Sequence, residues 1–171
     1  SLPKGCGEGV WADIDNDGWL DLLVSQGKGR RAKLVFLRNN GDGAWSTGEV
    51  GSLAAAGVAL TTMDVEGDGD MDLVCLDARG WTTLWRNDGG NANHWLRVRL
   101  QGLRTAGTKN NLNGIGSKVE VKAGLHYQMR VVSRPVTHFG LGTHREADLM
   151  RVMWSNGVPQ NQIRPAANQT V

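Results

Sequence analysis

At 171 residues the chain is long enough for one domain or two small ones with a real core. Its 24 glycines and the scarcity of helix-period apolar patterns argue against a helical protein and for an all-β chain with many turns. No apolar run approaches the roughly 18 residues of a membrane-spanning helix, and the formal net charge of +2 is unevenly spread. Residues 1–93 carry 14 acidic against 8 basic side chains, whereas residues 94–171 carry 3 against 11, an asymmetry that points to two domains divided near Gly90-Asn91-Ala92-Asn93.

In chain order, a short strand over Gly9-Val10-Trp11-Ala12 leads into the acidic loop Asp13-Ile14-Asp15-Asn16-Asp17-Gly18-Trp19-Leu20-Asp21 and then the apolar strand Leu22-Leu23-Val24. Lys33 to Leu37 reads as a further strand closed by an Arg38-Asn39-Asn40-Gly41 turn, where Asn and Gly tolerate positive φ. The whole unit then recurs. Gly57 to Thr62 reads as a strand, and Asp64-Val65-Glu66-Gly67-Asp68-Gly69-Asp70-Met71-Asp72 repeats the D-x-[DE]-x-D-G-x-x-D pattern 51 residues on. Leu73 to Leu76 and Trp81 to Trp85 follow as strands, the latter closed by Arg86-Asn87-Asp88-Gly89. A repeat of about 50 residues with three or four strands is the pattern of a propeller blade. Two blades cannot close a propeller, which typically needs four to eight.

Carboxylates at positions 1, 3, 5 and 9, with glycine at 6 for a sharp turn, supply the oxygen ligands a hard divalent cation needs, and calcium is the natural occupant. The expected side-chain ligands are Asp13, Asp15, Asp17 and Asp21 in the first loop, and Asp64, Glu66, Asp68 and Asp72 in the second. The position-7 carbonyls belong to Trp19 and Asp70. The extra methylene of Glu66 predicts a weaker or water-bridged second site. An EF-hand would place a bidentate Glu at position 12, where this chain has Val24 and Cys75, and its loop would join helices instead of entering strands. The plainer alternative, acidic loops as merely solvated turns, is opposed by the two in-register copies.

The second half alternates with a period of two. Leu96, Val98 and Leu100 alternate with Arg97, Arg99 and Gln101; Val119, Val121 and Ala123 with Lys118, Glu120 and Lys122; Tyr127, Met129 and Val131 with Gln128, Arg130 and Val132. Each reads as a strand with its first-named set buried. Asp148 to Trp154 and Pro159 to Ile163 add two more, and Phe139-Gly140-Leu141-Gly142 and Asn113-Gly114-Ile115-Gly116 read as turns. Five or six such strands make a small sandwich or open barrel. The basic residues fall mostly on the wet faces, where they serve solubility or meet an anionic partner.

Catalytic patterns are weak. Cys6 and Cys75 form no CxxC or Cys/His zinc pattern, and whether they pair is left open. Of His94, His126, His138 and His144, only His138 and His144 are close in sequence, and His138 reads as a packing residue beside Phe139. Ser117, Ser133 and Ser155 lack a nucleophile-elbow context. Asn168-Gln169-Thr170 is a single glycosylation sequon.

The acidic loops with "GVWADIDNDGWLDLLV", "LRNNGDG" and "LWRNDGG" resemble FG-GAP (VCBS-type) repeats, the calcium-binding blades also found in integrin α-subunit propellers. "NHWLRVRLQG", "NGIGSKVEV", "HFGLG" and "VMWSNGVPQ" resemble, in order, the ASPIC/UnbV domain that follows such repeats in secreted proteins. Two departures stand out: Trp154 is followed by Ser155 where that domain usually has proline, and the segment Ser133 to Thr137 is short. The resemblance implies two partial propeller blades over 1–93 and an ASPIC/UnbV-like β domain over 94–171. The chain opens almost inside its first repeat and reads as an excised piece. The expected function is a calcium-stabilised, non-catalytic extracellular interaction or adhesion module, secreted or in a bacterial cell envelope. Its partners would be a protein or a glycan, together with further blades of the parent chain, with no nucleic acid and no membrane span. The alternative is a carbohydrate-binding or accessory domain of a secreted enzyme, with Trp19, Trp45 or Trp81 as stacking platforms.

Overall fold

The computed structural model describes residues 4–53, 57–89, 92–103 and 111–171. The expected boundary residues Gly90 and Asn91 lie outside them. The chain is all-β: the described residues form antiparallel-dominated sheets, none closed into a barrel, and their only helical element is a 3-10 turn at Gly29–Arg31. Among the described residues no helix is long and apolar enough to cross a membrane. Two compact units emerge, Ser1–Asp15 with Trp19–Asn91, and Asn16–Gly18 with Ala92–Val171.

In the first unit, β1 (Cys6–Ala12), β2 (Asp21–Gln26), β3 (Lys33–Asn39) and β4 (Trp45–Ser52) form an antiparallel meander in sequence order. β5 (Gly57–Met63), β6 (Asp72–Asp77) and β7 (Thr82–Trp85) form a second. β2 sits centrally because its first five residues are all buried, so both of its faces need cover. Leu22 and Val24 face Leu37 and Val35 on one side, while Leu23 joins Ala12, Leu34, Leu53, Leu73 and Cys75 on the other. Each fully buried Leu or Val contributes roughly 1.5–3 kcal/mol, so these two clusters hold the acidic loops in place. Cys6 packs against the first cluster and Cys75 lies within the second.

β4 has no apolar period and was not expected from the sequence. It forms through pairing with β3 across a turn in which Asn40 N–H bonds the Ala44 carbonyl (3.1 Å) and Asp42 Oδ1 accepts the Ala44 N–H (2.8 Å). Its almost fully exposed residues, with glycines at 48 and 51, mark it as the edge of its sheet.

The second unit stacks two sheets over one core. The first has the order β10 (His126–Val131), β9 (Lys118–Ala123), β12 (Leu149–Met153), β13 (Pro159–Ile163); the other has β11 (Thr137–Gly142), β8 (His94–Val98), β14 (Gln169–Thr170). Leu96 and Val98 from β8, Val119 and Val121 from β9, Phe139 and Leu141 from β11, and Met150 and Val152 from β12 share one buried cluster. The expected sandwich is therefore present, with β14 added in parallel to β8.

Three details differ from expectation. Phe139 to Gly142 is not a turn but the end of β11, with Phe139, Gly140 and Leu141 buried. β13 is a strand as expected, but all of its residues are exposed. The third difference is an inversion of β10: Gln128 is buried, while Tyr127, Met129 and Val131 are exposed. The tight turn at Gly124 and Leu125 pairs His126 with Ala123, so Gln128 falls opposite Val121 and Arg130 opposite Val119. Directly opposed residues share a face, and here turn register overrules apolar period. Gln128 satisfies its burial by donating through Nε2 to the Gly140 carbonyl at 2.6 Å, and the Arg130 guanidinium lies 5.7 Å from the centre of the Phe139 ring.

Candidate metal centre

Both acidic loops use the same backbone device. Asn16 and Gly18 take left-handed conformations at φ 58° and 92°, and Gly67 and Gly69, at the equivalent positions, do so at 82° and 96°. Glycine enters this region without steric cost and asparagine tolerates it. Two such residues, two apart, turn the chain sharply enough for alternate side chains to face inward.

The ninth-position aspartates anchor the turns. Asp21 is fully buried; its Oδ2 accepts the Ile14 N–H at 3.1 Å and its Oδ1 the Asn39 N–H at 2.9 Å. Asp72 repeats the arrangement with the N–H groups of Val65 (2.8 Å) and Asn87 (2.9 Å). Each carboxylate thus clamps the start of its loop to the turn after the next strand but one in the meander. The turn asparagines answer in kind: Asn39 Oδ1 accepts the Gly41 N–H and Asn87 Oδ1 the Gly89 N–H, both at 3.1 Å. Asn87 Nδ2 also donates to the Ile14 carbonyl at 2.8 Å, tying the second turn to the first loop. From the sequence alone Asn39 and Asn87 are turn formers. Their recurrence after each loop, directly behind an arginine, was the signal that they belong to the site.

In the first loop Asp13, Asp15 and Asp21 each present a carboxylate oxygen within 4.8 Å of the others, the one such group of three among the described residues. Asp13 and Asp21 are buried and Asp15 is half-buried. Asp17 is half-buried and stands outside this trio, and Trp19 is half-exposed, its indole lying against Gly41. In the second loop Asp64 accepts the N–H groups of Gly67 (2.6 Å) and Gly69 (2.9 Å), and Asp68 accepts that of the buried Asp70 (3.0 Å). Glu66 approaches Asp72. Desolvation and a hydrogen bond to Asp72 push the Glu66 carboxyl above its ordinary range, while Arg86 pulls it the other way. Arginines complete both loops: Arg38 pairs with Asp15, and Arg86 with Glu66 (2.8 Å) and Asp88 (2.6 Å).

Oxygen-only donors, converging and partly withdrawn from water, fit a hard divalent cation and not zinc or a soft metal. Asp13, Asp15 and Asp21 would hold it in the first loop. A divalent cation bound there would supply the positive charge that the crowded carboxylates lack.

Elsewhere, His138 lies in the second unit, its ring 6.3 Å from that of Trp95 in a stacked arrangement and its Nε2 2.7 Å from Asn16 Oδ1. Burial, with Arg97 and Arg130 nearby, holds its pKa down at about 4. The neutral ring donates from Nε2 to Asn16, leaving Nδ1 as a buried acceptor without a hydrogen bond. It packs against Trp95 and hydrogen-bonds to Asn16.

Residues 13–75 match the FG-GAP-like repeat family and residues 107–171 match the ASPIC and UnbV family. The two matches follow one another along the chain, an FG-GAP-like repeat match first and an ASPIC and UnbV match second. Two similar curated proteins carry the name cartilage acidic protein 1, from Homo sapiens and Mus musculus. Each is 27% identical over 180 residues, covering 92% of this chain and 26% of the relative. The chain spans about a quarter of the length of these relatives.

Proposed function

We propose that this chain is a calcium-stabilised, non-catalytic extracellular interaction module. In this reading its two sheets of the first unit are partial propeller blades, completed by further blades of the parent protein. The observation that carries it is the convergence of Asp13, Asp15 and Asp21 on one point, in a loop whose backbone and ninth-position clamp are repeated 51 residues later. Calcium would fix two loops whose carboxylates otherwise repel, adding folding free energy to the elements around them. Isothermal titration tests this directly. Two calcium ions per chain are expected, the Glu66 loop being the weaker; an absence of binding at millimolar calcium would refute the reading. The binding partner is a protein or a glycan, and localisation is outside the cell or in a cell envelope.

One feature favours a glycan partner. A cleft of about 250 Å³ is lined by Ser52, Asp77, Arg79, Trp81, Thr82 and Thr83, among others. Trp81 is 69% exposed there, whereas Trp19 lies against Gly41 and Trp45 packs edge-on to Trp11 at 6.1 Å. A free indole beside hydroxyls and a preset Asp77–Arg79 pair suits a sugar ring. A glycan array probed with the wild type and Trp81→Ala separates the two readings: loss of a glycan signal in the variant supports the sugar site, and no signal from either leaves a protein partner.

A further inference from the structure

We propose that Arg38 and Arg86 are built-in counter-cations of the acidic loops, each holding the position-3 carboxylate of its own loop in the absence of calcium and lowering calcium affinity by competing for it. The inference rests on the calcium reading of these loops and assigns the residues that tune it.

Arg38 ion-pairs with Asp15, and Arg86 pairs with Glu66 at 2.8 Å. A single surface pair of this kind would mean little. Here the pair forms twice, from the same place in a repeated unit and to the same loop position, although that position has changed from Asp to Glu. Its placement has a structural cause. Each arginine directly precedes the asparagine whose backbone N–H is clamped by the ninth-position aspartate, Asn39 by Asp21 and Asn87 by Asp72. The clamp therefore delivers a guanidinium to the loop as a by-product of holding the turn.

The electrostatic consequence follows from Coulomb's law. Without a divalent ion, the guanidinium offsets repulsion among carboxylates that lie within 4.8 Å of one another in the first loop. An ion entering the loop meets a carboxylate already partly neutralised and a second positive charge beside it. A carboxylate has lone pairs enough for both, so the arginine need not leave, but the two cations repel. The side chains of Arg38 and Arg86 are 45% and 56% exposed, so solvent screens the effect to about two- to fivefold in affinity. Arg86 is also shared with Asp88 at 2.6 Å, where the first loop has Asn40, so its effect is the smaller.

The test is calcium titration of the full chain by calorimetry, with melting in EDTA alongside, for the wild type, Arg38→Gln, Arg38→Lys and Lys33→Gln. Lys33 pairs with Glu49 at 2.8 Å at the other end of β3 and controls for net charge. Arg38→Gln should tighten one calcium site about two- to fivefold and lower the melting temperature in EDTA. Arg38→Lys should restore most of the EDTA stability, and Lys33→Gln should leave calcium affinity unchanged. Unchanged or weakened calcium binding in Arg38→Gln would overturn the proposal, as would equal tightening in Lys33→Gln. A wild type that binds no calcium would instead remove the calcium reading, and this proposal with it.

Discussion

Asp21→Asn separates the two tasks of the ninth position. Asp21 is fully buried and splits its oxygens between the Ile14 N–H (3.1 Å) and the Asn39 N–H (2.9 Å). Asparagine keeps one acceptor and presents an NH2 in place of the other, so whichever way the amide turns, one backbone N–H faces a donor. A hydrogen bond to a charged group contributes about 1.5–3 kcal/mol, and the orphaned buried N–H adds a desolvation cost of about 1–3 kcal/mol. Relief of repulsion with Asp13 and Asp15 offsets part of this, leaving an expected loss of about 2–3 kcal/mol in EDTA, where calcium plays no part. Asp15→Asn should behave differently. It removes a half-exposed pair with Arg38, so its cost in EDTA should stay within about 1 kcal/mol. Urea unfolding followed by tryptophan fluorescence, in EDTA and in calcium, measures both variants. If the two variants are equally stable in EDTA, Asp21 is a metal ligand only and the clamp argument is wrong.

Calcium at 100-fold above its dissociation constant should stabilise the wild type by about 2.7 kcal/mol per site, and Asp13→Asn should remove one increment; a melt indifferent to calcium and EDTA refutes this. His138, held down from 6.5 to about 4, should cost stability as pH falls through that window, because the unfolded chain takes up the proton first. The loss has a ceiling of about 3 kcal/mol, His138→Gln should flatten the slope, and an imidazole titrating near 6.5 by NMR would contradict it. Glu66, raised by desolvation and by Asp72, has the opposite sign: in EDTA its contribution to stability falls as pH rises through the carboxylate range, a trend Glu66→Gln should abolish. At Gly114 (φ +62°) an added Cβ would lie 2.6 Å from Leu100 Cδ1, whereas at Gly116 (φ +88°) it meets nothing within 4 Å. Gly114→Ala should therefore destabilise the chain by about 1–3 kcal/mol more than Gly116→Ala, as read by thermal or urea melts.

The all-β class, most of the strands and the repeated acidic loops were legible in the chain because their signals are local. Period-two alternation marks β8 and β9, a fully apolar run marks β2, and carboxylates at alternate positions around glycine mark the loops. β4 and β14 carried no such signal: β4 exists because β3 offers it an edge, and β14 because β8 does. β10 shows the limit most clearly. Tyr127, Met129 and Val131 have the right alternation for burial, yet the turn at Gly124 sets a register that turns them outward and buries Gln128 instead.

At the site the same division holds. Residue types and spacing alone pointed to an oxygen-ligated cation. The roles of Asn39, Asn87, Arg38 and Arg86 depend on partners 15 or more residues away in the chain, so no local window contains them. Strand pairing in the meander is what brings each Arg-Asn turn back onto its loop, and a hydrogen bond forms only between groups that such pairing has placed within about 3 Å. Local pattern decides which residues can bind a metal; tertiary structure decides which neighbours hold them in position and which compete for their charge.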